Sequence, residues 1–92
     1  MIVRISGEGQ YRLSDEAARR LNELDNELVR LVESADEAGF RARFRELIEW
    51  VRSQGQPVPP DELVASDVIL PPPDVTLEEA RSVFQGEGLV PG

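Results

Sequence analysis

The sequence predicts an α+β fold: an N-terminal β-hairpin, a long αα-hairpin, and a C-terminal segment made of a short strand, a proline-rich strap and a helix. Three observations support this prediction. Residues 1–6 alternate loosely and are rich in Ile and Val, apolar residues recur at helical spacing from residue 17 to residue 51, and all seven prolines follow residue 56. We expect one domain over residues 1–92, with the hairpin in 1–13, the helical hairpin in 14–54 and the acidic, proline-rich part in 55–92.

The N-terminal residues 1–6 are rich in Ile and Val and predict the first strand. Gly7-Glu8-Gly9 then predicts a three-residue turn, because glycine accepts positive φ, and residues 10–13 return as the second strand.

The first helix is predicted over residues 15–34, with Ser14 as its N-cap. Its apolar residues alternate in spacing between three and four, which predicts one buried seam. The seam consists of Ala17, Leu21, Leu24, Leu28, Leu31 and Ala35. Four charged residues lie off this seam, and we expect them to be solvated: Arg20, Asp25, Glu27 and Arg30.

The second helix is predicted to begin after Asp36, a plausible cap, and to end at Gly55 in the C′ position, with Pro57 just beyond. Its apolar stripe consists of Phe40, Phe44, Leu47, Ile48 and Val51. Two helices joined by so few residues predict an antiparallel pair.

The C-terminal part, residues 53–92, carries seven acidic residues and one arginine, yet it is too apolar to be a disordered tail. Residues 68–70 predict a short strand, and Thr76 with Glu79 forms a capping box that starts a helix closed by Gly86 after Phe84 and Gln85. The apolar side chains that we expect to be buried here include Leu63, Val64, Val68, Ile69, Leu70, Val75 and Leu77. Pro71-Pro72-Pro73 is acidic on both flanks, which favours an internal strap over a ligand for an SH3-like groove.

The composition excludes several classes of function. There is no cysteine and no histidine, and no lysine to activate a hydroxyl, so the sequence offers no catalytic, metal-binding or cofactor-binding residues and predicts a protein that is not an enzyme. The net charge of −8 argues against nucleic acid and against direct adhesion to anionic lipid. With no signal peptide, we expect a cytoplasmic protein that reaches a membrane only through a partner.

Four residues of the second helix are candidates for partner binding: Arg41, Arg45, Trp50 and Arg52. The three arginines form a stripe that fits an acidic partner or the acidic C-terminal strap of this chain, whereas Arg43 points elsewhere. The alternative is a solvated face, with Arg41 paired to Glu37 and Arg45 to Glu49 at i,i+4 spacing. Trp50 is either part of the core or an interface anchor.

Four stretches carry a family resemblance: "MIVRISGEGQYRL", "LNELDNELV", "DELVASDVILPPPDVTLEEA" and "GEGLVPG". Together they resemble the PspA-associated protein family, PspAA. The resemblance implies a non-enzymatic accessory component of a phage-shock-type envelope stress response, associated with PspA, a coiled-coil protein of the membrane-remodelling class. It supplies no catalytic residues to carry over.

Two functional hypotheses follow. In the first, the domain binds a PspA-like coiled-coil protein and modulates its assembly or its membrane engagement. In the alternative, it is a self-assembling structural module, a homodimer through the leucine seam, with no dedicated PspA-like partner.

Overall fold

The computed structural model describes residues 1–83, and over this range the chain forms seven elements. In chain order they are β1 (Ile2–Ile5), β2 (Gly9–Arg12), α1 (Asp15–Glu33), α2 (Glu37–Gln54), β3 (Gln56–Pro57), β4 (Val68–Leu70) and α3 (Leu77–Val83). This confirms the predicted α+β class. The predicted helix end at Phe84, Gln85 and Gly86 lies outside the described residues.

The strands form one mixed sheet in the order β3-β2-β1-β4. β1 and β2 are the predicted antiparallel hairpin; Ile5 lies opposite Gly9, so the turn is Ser6-Gly7-Glu8 and Gly7 has φ 79°. β4 lies parallel to β1, and the two-residue β3 pairs antiparallel with β2. Neither β3 nor the partner of β4 was predicted from the sequence.

The core lies between one face of the sheet and the helices. Val3 and Ile5 of β1 and Val68 and Leu70 of β4 point inward and are buried, as alternation along a strand requires. All five residues of the predicted α2 stripe are buried, which confirms that prediction. The rings of Phe40 and Phe44 stack at the centre, with centroids 5.7 Å apart.

Side-chain caps define the helix starts, as predicted. The Ser14 hydroxyl accepts a hydrogen bond from the Ala17 N–H at 3.2 Å, and the Asp36 carboxylate accepts one from the Gly39 N–H at 2.9 Å. Between the helices the chain turns through Ala35, whose φ is 57°. The Ala35 N–H donates to Val32 O and the Asp36 N–H to Leu31 O, the two hydrogen bonds of a Schellman motif.

The buried face of α1 differs from the predicted seam. Asp25 is only 1% exposed, so the prediction that it is solvated is wrong. The buried residues are Leu21, Asp25, Leu28, Val29 and Val32, whereas Ala17, Leu24 and Leu31 are half-buried at the edge of the core. The physical reason is that α1 contacts α3 as well as α2, so its buried arc extends beyond a two-helix seam. Among the described residues, no buried side-chain nitrogen or oxygen lacks a hydrogen-bond partner.

Gly55 ends α2, as predicted, and it does so in an extended conformation, with φ −84° and ψ 155°. The reason for glycine is space. A Cβ added here would lie 2.8 Å from both Tyr11 Cβ and Val51 O.

Residues 58–67, which we call the crossover segment, connect β3 at one edge of the sheet to β4 at the other. They cross the outer face, where the Gln10 side chain donates to Val64 O at 3.0 Å and to the Ser66 hydroxyl at 2.8 Å. This path leaves Leu63 95% exposed, and Ile69 of β4 is 57% exposed, so the prediction that these two side chains are buried is wrong. The backbone of Ile69 is paired with Arg4 in the sheet, whereas Leu63 lies in the crossover segment outside any strand.

The proline-rich strap, Pro71–Pro73, leads from β4 to α3, which packs against α1 and α2. The predicted capping box is present. The Thr76 N–H donates to the Glu79 carboxylate and the Glu79 N–H donates to the Thr76 hydroxyl, each at 3.2 Å. Val75, Leu77 and Ala80 are buried, so the strap is an internal connector that brings α3 onto the core.

Candidate partner-binding surface

Arg41 and Arg45 are exposed on α2, and neither forms an ion pair with any residue in 1–83. The predicted pairs with Glu37 and Glu49 are therefore wrong for the described part of the chain. Both guanidinium groups are thus without an acidic partner among the described residues.

Arg43 does point elsewhere, as predicted, and it makes the contacts that the sequence analysis missed. Its guanidinium lies 3.4 Å from the Glu27 carboxylate of α1 and 3.2 Å from the Glu46 carboxylate of α2. The first of these pairs bridges the two helices on their solvent side.

Arg52 is held within the chain. Its Nε lies 3.1 Å from both carboxylate oxygens of Glu8, and its terminal nitrogens also bond Glu8 and Glu49. The Arg52 hydrogen bonds lower the pKa of Glu8, and Glu8 in turn raises the pKa of Arg52. Glu8 accepts a further hydrogen bond from the Tyr11 hydroxyl at 2.8 Å, which raises the pKa of Tyr11. This cluster ties the β1–β2 turn to the C-terminal end of α2.

Trp50 lies on the side of α2 opposite Arg41, because a separation of nine residues turns the helix by about 180°. It is half-buried and packs against the edge of the core. The four predicted residues therefore do not form one cluster. Arg45 and Trp50 border the same shallow surface, together with Glu46, Glu49 and Ser53. Arg41 lies one turn from Arg45, and Arg52 is turned toward the hairpin.

A groove runs between α1 and α2 next to Trp50, with a volume of about 250 Å³. Its floor is apolar, formed by Leu24, Leu47 and Trp50, and its rim carries Arg20, Glu27, Arg43 and Glu46. Arg20 and Trp50 also line its continuation toward Ala17. We call the surface formed by these eight residues the α1–α2 groove. Leu24 and Leu47 were predicted from the sequence only as core residues. The seven-residue spacing of Ala17, Leu24 and Leu31 was the signal that part of the α1 seam lies at the edge of the core and borders the groove.

Within residues 1–83, no group of three or more Asp, Glu, His or Cys side chains is placed to hold a metal ion. No helix in this range combines the length and the apolar character needed to span a membrane.

These features define a small α+β domain whose candidate sites are surfaces for contact with another protein. A family model described as PspA-Associated protein, PspAA, matches residues 1–92, the whole chain. The chain belongs to the PspAA family, which is an accessory protein family. No curated protein and no solved structure shows significant similarity to it.

Proposed function

We propose that this domain is a non-enzymatic accessory protein of a phage-shock-type membrane or envelope stress response, which binds a PspA-like coiled-coil protein and modulates its assembly or its membrane engagement. The observation that carries the proposal is the family match over the whole chain, since the family is described by its association with PspA. Under this proposal the protein is cytoplasmic and reaches the inner face of the membrane only through its partner.

The exposed side of α2 supports a role in docking. Arg41 and Arg45 have no ion-pair partner in residues 1–83, so an acidic partner can engage them without breaking an existing pair. Trp50 is half-exposed and belongs to the residue types that dominate interface energies. Arg52 contributes mainly by holding the end of α2, because its guanidinium is bonded to Glu8 and Glu49.

The proposal is tested by co-purification and titration with the PspA-like protein of the same organism. The Arg41→Glu/Arg45→Glu double variant should lose the complex while keeping its far-UV circular dichroism spectrum. The matched control is Arg19→Glu/Arg30→Glu, which changes the net charge equally on exposed α1 positions and should still bind.

Two outcomes would contradict the proposal. The first is the absence of any complex with the native protein by pull-down or titration. The second is a stable dimer of the domain that ignores the PspA-like protein, which would favour the alternative of a self-assembling module. Size exclusion with light scattering, with and without the partner, separates these outcomes.

A further inference from the structure

We infer that the α1–α2 groove is the seat of a single helix from a heptad-repeat chain, and that an apolar side chain of that helix inserts between Leu24, Leu47 and Trp50. This inference rests on the proposed function and adds to it a second contact surface, next to Trp50 and on the other side of α2 from Arg41. The occupant is a partner helix; a second copy of this domain is treated below as a competing outcome.

The shape of the groove fits an inserted side chain. Its apolar floor has walls from two antiparallel helices, Leu24 on α1 and Leu47 and Trp50 on α2. The Arg43–Glu27 ion pair crosses between the helices on the same rim, and Arg20 is held beside it by Glu23 at 2.8 Å. An apolar depression enclosed by neighbouring helical side chains is the kind of hole that receives a knob in coiled-coil packing.

The apolar spacing along α1, from the groove to Leu31 one heptad beyond Leu24, matches a heptad helix. Ala17, Leu24 and Leu31 are all half-buried and follow one another at intervals of seven residues. Seven helical residues rise about 10.5 Å, and core residues of a heptad helix repeat at the same distance. A helix lying along α1 therefore keeps its apolar side chains in step with this stripe over about 21 Å.

The charge around the groove also suits such a helix. The chain has a net charge of −8, yet the groove is lined by two arginines and two glutamates, whose charges cancel. Heptad helices carry side chains of both signs at the positions that flank their apolar seam. Arg20 and Arg43 can face the acidic ones, and Glu27 and Glu46 the basic ones.

A second copy of the domain fits less well. A two-fold interface requires a surface patch that is complementary to itself. A two-fold dimer through this surface would instead place one groove against another, with no protruding side chains to fill either. Two chains of net charge −8 also repel each other at long range.

Fluorine NMR on the wild-type chain tests the inference directly. Trp50 is the only tryptophan, so a protein labelled with 5-fluorotryptophan has a single resonance, and it reports on the groove. Titration with the full-length PspA-like protein of the same organism should shift or broaden that resonance at the same stoichiometry as complex formation. The resonance of the domain alone should not change on dilution.

A pair of variants adds a measurement of affinity. Leu24→Lys places a charge in the hole, and because Leu24 is half-exposed the ammonium can still reach water. This variant should bind about 30-fold more weakly, as expected for loss of an interface hot spot. The matched control is Leu63→Lys, the same substitution at the 95% exposed leucine of the crossover segment, which should bind like the wild type.

The outcomes are distinguishable. A complex that forms without moving the Trp50 resonance, or that Leu24→Lys and Leu63→Lys affect equally, overturns the groove as the docking site while the proposed function stands. A resonance that moves with the concentration of the domain alone assigns the groove to a second copy and overturns the inference. Absence of any complex overturns the proposed function itself, and the groove assignment with it.

Discussion

Substituting Gly55 by alanine tests the account of how α2 is joined to the sheet. The backbone at Gly55, with φ −84° and ψ 155°, is open to any residue, so conformational strain predicts no loss of stability. The packing predicts a loss, because the new methyl group would lie 2.8 Å from Tyr11 Cβ, 2.8 Å from Val51 O and 3.3 Å from Leu13 Cδ2. Two of these three atoms belong to the hairpin strand or its end, so relief requires the sheet and α2 to separate.

Two opposing effects set the magnitude. Forcing a methyl group into a packed site costs about 1–3 kcal/mol, whereas replacing glycine restricts the unfolded chain and returns about 0.4–1 kcal/mol. We therefore expect Gly55→Ala to lower the free energy of unfolding by about 1–2 kcal/mol, which for a domain of this size lowers Tm by roughly 4–16 °C.

Urea unfolding followed by tryptophan fluorescence and circular dichroism measures this difference. Gln54→Ala, an exposed neighbour, is the control and should stay within about 0.5 kcal/mol of the wild type. A Gly55→Ala domain that is as stable as the wild type, or more stable, would refute the close approach of Tyr11, since only the effect on the unfolded chain would then remain.

Three further predictions address other parts of the fold. Ala35→Gly should raise the free energy of unfolding by about 0.5–1 kcal/mol. The left-handed conformation costs alanine about 1–2 kcal/mol, and the greater freedom of glycine in the unfolded chain offsets part of the gain from removing that cost. A variant that is less stable in urea than the wild type would contradict this. Arg52 lowers the pKa of Glu8 from the ordinary 4.5, so the Glu8–Arg52 pair stabilises the fold at pH values above 4.5, and this stabilisation is lost as the pH falls through the folded-state pKa. The difference in the free energy of unfolding between wild type and Glu8→Gln should therefore be present at neutral pH and shrink in acid. A difference that does not vary with pH would argue against the pair. Deleting residues 71–92 removes the buried Val75, Leu77 and Ala80, whose burial contributes several kcal/mol, which is comparable to the whole stability of a small domain. We therefore expect the truncated chain to lose cooperative unfolding and partner binding. A truncated domain unchanged in both would disprove the role of the strap and α3.

Local patterns in the sequence predicted the elements well, because their causes are local. The stripe of α2 follows from helical spacing alone, and Ser14, Asp36 and Thr76 cap their helices through side chains within three residues of the group they bond. The hairpin turn followed from glycine, with a shift of one residue in its position. None of these depends on a distant part of the chain.

The errors arose where distant segments meet. Asp25 is buried on a helix that contacts α3 as well as α2, and the spacing of apolar residues within α1 carries no information about a third helix. The parallel pairing of β4 with β1 and the path of the crossover segment are likewise long-range.

The same limit applied to the candidate site. Arg52 was assigned to a docking stripe, but its main partner, Glu8, is 44 residues away in the β1–β2 turn. Arg43 bonds Glu27 of another helix and Glu46 at a spacing of three, whereas the analysis considered pairs at a spacing of four for Arg41 and Arg45. The close packing of Gly55 against Tyr11 and the left-handed φ of Ala35 at the end of α1 had no signal in the sequence.

The central claim is that the helical layer of this PspAA domain is the surface that meets a PspA-like chain. Hydrogen–deuterium exchange of the domain, alone and saturated with the PspA-like protein of the same organism, measures this across the whole surface in one experiment. We expect new protection in residues 17–31 of α1 and 41–50 of α2, with none in the crossover segment. Protection confined to the crossover segment and the outer face of the sheet, or no change in a sample shown to contain the complex, would contradict the claim.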